Sequence, residues 1–204
     1  MDELLNEHEQ GERVRSWLQR NAIGLIGGIA VGLAAVLGWQ WWQQRSLAAD
    51  MAVAAKYDVV SRTAVTDAAK ASTDLKGIPA KSPYAALAQL QIAKTQVDAG
   101  KNTEALATLR AVQTKDAMLA RIVDQRMAHL LTTTGQPAEA VKLLGNRDDA
   151  ASLEALGDAQ SKLGQAEQAR ASYGKALRQL ETGSPQRQVV EIKLVEAGGS
   201  VPNA

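Results

Sequence analysis

One uncharged run, Asn21 to Gln44 (NAIGLIGGIAVGLAAVLGWQWWQQ), constrains this chain more than anything else in it. Its apolar part, Ala22 to Trp42, is 21 residues long. As a helix rising about 1.5 Å per residue it spans roughly 30 Å, the hydrocarbon thickness of a bilayer. Arg13, Arg15 and Arg20 stand before it and Arg45 after it. Trp39, Trp41 and Trp42 gather at its exit, as membrane-interface anchors do, with an apolar ring and a polar N–H each satisfied at headgroup level. The run reads as a single transmembrane helix over 22–42. A cleaved signal peptide fits poorly: Asp2, Glu3, Glu7, Glu9 and Glu12 make the preceding segment acidic, and Ser46-Leu47-Ala48 lies beyond a bulky WQWWQQR stretch. A helix buried in a water-soluble core is disfavoured by Gly24, Gly27, Gly28, Gly32 and Gly38, each costing about 1 kcal/mol in water. In lipid the need to satisfy the backbone outweighs that cost.

Gly24, Gly28 and Gly32 form two overlapping G-x-x-x-G patterns, continued by Ala35. Small residues on one helix face allow a second helix to approach, so this stripe is a candidate for transmembrane association, including a homodimer. The three arginines on the N-terminal side outnumber Arg45 on the other. By the positive-inside rule the N-terminus is expected in the cytoplasm and residues 46–204 outside it. Absence of cysteine suits an oxidising compartment without requiring one.

Beyond the anchor the chain reads as one helical unit. Alanine, leucine, glutamine and lysine dominate, and phenylalanine is absent. Lys+Arg (23) and Asp+Glu (22) nearly balance across the chain, which argues against a nucleic-acid groove. An internal repeat emerges on aligning Gly100, Gly135 and Gly164, spaced by 35 and 29 residues. Five residues after each comes Ala105, Ala140 or Ala169; nine after comes Leu109, Leu144 or Tyr173; seven before comes Ala93, Ala128 or Gly157. The small residues let two antiparallel helices meet, and the glycine closes the first of them in a left-handed turn. The large residue is expected to fill the gap to the next copy. The third copy, Leu153 to Leu177, has the L-x-x-L-G … A-x-x-x-Y-x-x-A signature of a tetratricopeptide repeat.

The fold class expected is therefore all-α: a single N-terminal transmembrane helix, then a tetratricopeptide-like α-hairpin repeat domain, an α-solenoid. Punctuation gives the divisions. Residues 1–21 form a cytoplasmic segment and 22–42 the transmembrane helix. Residues 43–81 are a helical connector and first soluble helix, with a helix over about 47–74 ended near Gly77 and Pro79. Residues 82–181 hold the repeats, opening at Ser82-Pro83 and with Pro137 starting a helix. Residues 182–204 provide a capping helix, since the last repeat would otherwise expose apolar surface, and a tail expected to be flexible from Gly198.

On these features the chain resembles the proteobacterial YfgM-type inner-membrane proteins, ancillary subunits of the Sec translocon. The resemblance runs over roughly residues 3–196. It rests on DELLNEHEQGERVRSWLQRN, the glycine-rich anchor ending GWQWW, YAALAQLQIAK and GDAQSKLGQAEQARASYGKAL. It implies association with the Sec channel and with a membrane-anchored periplasmic prolyl isomerase acting as a chaperone, and exported proteins as clients. It also implies a cytoplasmic N-terminus and a periplasmic repeat domain in the cell inner membrane.

No catalytic constellation is legible. His8 and His129 fall on opposite sides of the expected membrane, no cysteine offers a zinc ligand, and no nucleophile elbow, P-loop or dinucleotide fingerprint occurs. Asp148-Asp149 reads as a loop or helix start. The expectation is a non-enzymatic interaction protein without cofactor or metal. Its partner-binding surface would be the concave face formed by the first helix of each hairpin: Lys94, Val97 and Asp98; Gln125, His129 and Thr133; Glu154, Asp158 and Lys162. A self-associating scaffold of another envelope complex is the alternative.

Overall fold

The computed structural model describes residues 2–201, with side chains from residue 12 onward. The side chains of Asp2, Glu3, Glu7, His8 and Glu9, and the end of the tail, Pro202–Ala204, lie outside the described residues. Among the described residues there are helices and turns and no strand. The chain divides into two units after Ala52.

The described residues of the first unit are all helical, as part of α1 (Asp2–Thr66). Its 18-residue apolar window is wholly unburied, and it is long and apolar enough to cross a membrane. Ile23 is 90% exposed and Val31 71%, a burden that a lipid environment relieves. Trp39 and Trp42 lie 5.4 Å apart as a tilted ring pair, and the Arg45 guanidinium stands 5.3 Å from the centre of the Trp41 ring. A cation over an indole face suits the level where headgroups begin.

The second unit opens with the last turns of α1. The helix expected over 47–74 is interrupted at Asp67, whose extended backbone and carboxylate cap α2 (Ala68–Asp74) by accepting from the Lys70 N–H. A 3-10 turn, Leu75–Gly77, follows. Val60, Ala64, Ala71 and Ile78 pack with Ala85, Ala88 and Ile92, and Lys56 donates to the Gly77 carbonyl (3.0 Å).

Three hairpins then run as α3 (Pro83–Asp98) with α4 (Asn102–Arg110), α5 (Ala117–Thr133) with α6 (Pro137–Leu144), and α7 (Ala150–Lys162) with α8 (Ala166–Leu177). A last helix, α9 (Pro185–Glu196), packs on α8. The first helix of each hairpin and α9 start on a side-chain cap: Ser82, Asp116, Asp149 and Ser184 each accept a backbone N–H. Asp149 is thus a helix start, as its place in the sequence suggests. The second helices have no such cap. The residue before each is already used to finish the preceding helix. Gly100, Gly135 and Gly164 have φ of 75°, 82° and 74°. The next N–H, of Lys101, Gln136 or Gln165, reaches back to the carbonyl of Gln96, Leu131 or Gln160 at 2.8, 2.7 and 2.9 Å. One tight glycine turn therefore ends one helix and begins the next.

The small residues do what their spacing suggests. Ala105, Ala128, Ala140 and Ala169 are completely buried and Ala93 almost so. In the third copy Gly157 stands where the others have alanine, and the Tyr173 ring occupies the space that a Cβ there would need. Tyr173 therefore fills a gap inside its own hairpin as well as joining Val190 and Leu194 of α9 in the adjoining cluster. Glycine with tyrosine in copy three replaces alanine with leucine in copies one and two. We expect Gly157→Ala to destabilise the fold by about 1–3 kcal/mol through overpacking. Gly157→Ala combined with Tyr173→Leu should recover part of that loss. Thermal unfolding of both variants in the full chain checks this; equal melting temperatures for wild type and Gly157→Ala would refute it.

Candidate functional site

The open surface of the repeats is built on α3, α5 and α7. Ala93, Lys94 and Val97 of α3 and Arg126, His129 and Leu130 of α5 line a groove of about 330 Å³, floored by Leu109. Lys94, Val97 and His129 from the expected concave face are thus brought together. Lys94 and Asp98 form an exposed ion pair at 2.5 Å one turn apart, so they offer both signs at the groove edge. Thr133 is exposed, its hydroxyl donating to the Leu130 carbonyl (3.1 Å). Lys162 is exposed on α7.

Three other expected residues are engaged within the fold. Gln125 donates to Asp149 Oδ1 (2.9 Å) and Ser152 Oγ (3.1 Å), tying α5 to the start of α7. Glu154 and Asp158 receive the Lys193 ammonium of α9 at 2.7 and 2.8 Å. Asp158 also accepts from the Tyr173 hydroxyl (2.8 Å), and Glu154 from Gln186 (3.2 Å). These residues sit where each first helix meets the next one, so neighbouring helices, not a ligand, satisfy them. The free part of the surface is concentrated between α3 and α5.

Sequence reasoning missed Arg126, Leu130 and Leu109 in the groove and Lys193 in the ion cluster. Arg126, His129, Leu130 and Thr133 follow i, i+3, i+4, i+7 spacing, one helical face. Of the residues expected on α5, His129 and Thr133 share that face, and Gln125 lies beside it, turned towards α7. Lys193 carried no signal, because the apolar residues of α9 alone mark it as a helix.

The ion cluster shifts two groups. Burial, the hydrogen bond to Asp158 and the nearby carboxylates all push the Tyr173 hydroxyl well above its ordinary value. Burial pulls Lys193 down, but its hydrogen bonds and attraction to Asp158 and Glu154 outweigh that and raise it. No group of three or more His, Cys, Asp or Glu side chains with metal-site geometry occurs among the described residues. In α1, nothing approaches within 4 Å of where a Cβ would stand at Gly24, Gly28 or Gly32, so that small-residue stripe is bare.

Residues 15–199 match a family model described as a tetratricopeptide repeat-like domain. An Escherichia coli (strain K12) protein named as an ancillary SecYEG translocon subunit is 28% identical over 149 residues, covering 68% of this chain and 69% of its own. A Haemophilus influenzae protein of the same name is 24% identical over 200 residues, covering 93% of this chain and 97% of its own. Both relatives bear out the resemblance to the YfgM-type family. Among solved structures, the TPR-like repeats of a Podosopora anserina protein named for kinesin light chain superpose with a TM-score of 0.52 at 17% identity, covering 71% of this chain and 84% of that one. A single-substitution variant of that protein gives 0.53 over the same shares. At that identity the likeness speaks for the fold alone.

Folding raises both Tyr173 and Lys193 above their ordinary values of 10.0 and 10.5. The cluster's contribution is therefore complete below about pH 10 and is lost as pH climbs towards the folded-state values. Alkaline unfolding monitored by circular dichroism should steepen above about pH 10, and Tyr173→Phe should flatten it. Lys193→Met strands two carboxylates and should cost about 2 kcal/mol at neutral pH. An unchanged melting temperature for Lys193→Met would contradict this role.

Proposed function

The chain belongs to the tetratricopeptide repeat-like domain family, and on that footing we propose that it is a membrane-tethered, non-enzymatic accessory of the Sec translocon. The observation that carries the reading is the groove between α3 and α5, apolar at its base and edged by Lys94, Arg126 and His129. It belongs to a chain that also holds a helix long and apolar enough to span a membrane. Such a groove seats a segment of another protein: the apolar floor supplies affinity, and the charged rim fixes orientation. The shared name of the two bacterial relatives supports a Sec channel as the partner.

In this reading the protein sits in the cell inner membrane. Arg13, Arg15 and Arg20 keep the N-terminus cytoplasmic, and the repeats work in the periplasm. The family resemblance further points to a membrane-anchored periplasmic prolyl isomerase as a second partner and to emerging exported chains as clients. Of the expected concave face, Lys94, Val97, Asp98, His129, Thr133 and Lys162 are exposed, and among the described residues no neighbouring repeat engages their side chains in an ion pair or hydrogen bond, which leaves them for a partner. The alternative of a self-associating scaffold draws on the bare Gly24/Gly28/Gly32 stripe, which a second copy's helix fits.

A photo-cross-linker placed at Val97 or His129 in living cells, followed by identification of the adducts, tests the reading. Channel subunits, the isomerase or exported chains are the expected captures. Adducts only between copies of the protein would favour the scaffold. Absence of adducts in an inserted, folded protein would overturn the groove as the binding surface.

A further inference from the structure

The glycine ladder has a fourth rung. Gly198, 34 residues after Gly164, has φ of 81°. It ends α9 with the same pair of hydrogen bonds as the earlier turns: Gly198 N–H to the Val195 carbonyl (2.8 Å) and Gly199 N–H to that of Leu194 (2.9 Å). Ser184-Pro185 opens α9 as Ser82-Pro83 opens α3. By these marks α9 is built at both ends like the first helix of a repeat, although seven residues before its glycine it carries Glu191 where α3, α5 and α7 carry Ala93, Ala128 and Gly157.

That likeness specifies which face of α9 would meet a following helix. Ten residues before its glycine, α5 carries Gln125, which bonds to the start of α7. Ten and six before its glycine, α7 carries Glu154 and Asp158, which hold Lys193 of α9. The same offsets in α9 are Gln188 and Ile192. With Glu191, Val195, Glu196 and Val201 they line a groove of about 380 Å³. Ile192 is 60% exposed and Val195 54%. α9 thus presents isoleucine and valine on the side where the earlier first helices meet the next one. The rim is acidic. Glu191 is bound to Arg187 of its own helix (2.8 Å), and Glu196 is exposed.

We propose that this edge of α9 docks an amphipathic helix from a partner protein, one with an apolar stripe and a lysine or arginine facing Glu191 and Glu196. The precedent lies one step back in the stack, where α7 offers two carboxylates and α9 answers with a lysine. A second copy's α9 would bring the same acidic rim to this one and is the poorer occupant. The surface is separate from the groove between α3 and α5.

The test uses the full chain in phosphatidylcholine nanodiscs and two labelled synthetic helices of the length of α9. Both carry one leucine stripe; one is flanked by lysines and the other by glutamates. Fluorescence anisotropy should show the lysine peptide binding above its level on empty nanodiscs. Ile192→Glu should weaken it about tenfold or more, since it puts a charge in an apolar contact. Glu196→Lys should weaken the lysine peptide and strengthen the glutamate one. Both sites are exposed, so melting temperatures should hold, which separates lost docking from lost folding. No binding above background, equal binding of the two peptides, or indifference to Ile192→Glu would overturn the proposal. The chain has no cysteine, so Ile192→Cys gives a clean readout of self-pairing. A disulfide-linked dimer through that site in the membrane would assign the edge to a second copy instead, and that too would overturn it.

Discussion

The repeat unit depends on paired helices meeting through buried small residues. Ala93 with Ala105, Ala128 with Ala140 and Gly157 with Ala169 occupy those crossings, and all are buried. Close approach needs small side chains but yields little apolar area from them. The remainder comes from Leu109, Leu144 and Tyr173, one turn further along the second helix of each hairpin, and all nearly inaccessible. The interior is alanine-rich because thickness is rationed at the crossings, and one aromatic ring is admitted only where glycine makes room for it.

The same geometry explains how much was legible beforehand. The glycines at 100, 135 and 164 punctuate the chain because a left-handed turn has one cheap occupant, and local chemistry of that kind survives in any context. Helix starts at Ser82 and Pro137 were readable for the same reason. The break at Asp67 was not, since no glycine or proline marks it and the capping carboxylate has an ordinary neighbourhood. The site was harder still. Whether Glu154 and Asp158 face a ligand or a lysine depends on α9, where Lys193 lies 39 and 35 residues away. Gln125 likewise finds its partners across a hairpin. Periodicity identifies a helix face; it does not say what the next element brings to it.

The two units answer to different solvents. In the first, every large residue from Ile23 to Leu37 is exposed, which is stable only where the surroundings are themselves apolar. In the second, exposed ion pairs such as Arg62–Asp58 and Arg110–Glu139 cover the surface, as water favours. A tethered interaction domain needs both, and the grooves on the second unit are where the apolar rule relaxes.

Behind the alanine crossings lies a second layer that differs between copies. In the first, the Thr108 hydroxyl donates to Gln96 Oε1 (2.8 Å); in the third, Ser172 does the same to Gln160 (2.7 Å). The equivalent positions of the middle copy are Leu131 and Leu143, both set in the apolar cluster. Polar, apolar, polar: no two adjacent copies carry the same lock. A helix that strayed to its neighbour's partner during folding would press a glutamine amide against leucine, forfeiting a hydrogen bond at a cost of about 1–3 kcal/mol. Repetitive chains are prone to such exchanges, because their parts look alike. Here the alternation sets each hairpin apart from the one beside it, so neighbours are told apart in the interior of the stack and not only by the connecting turns.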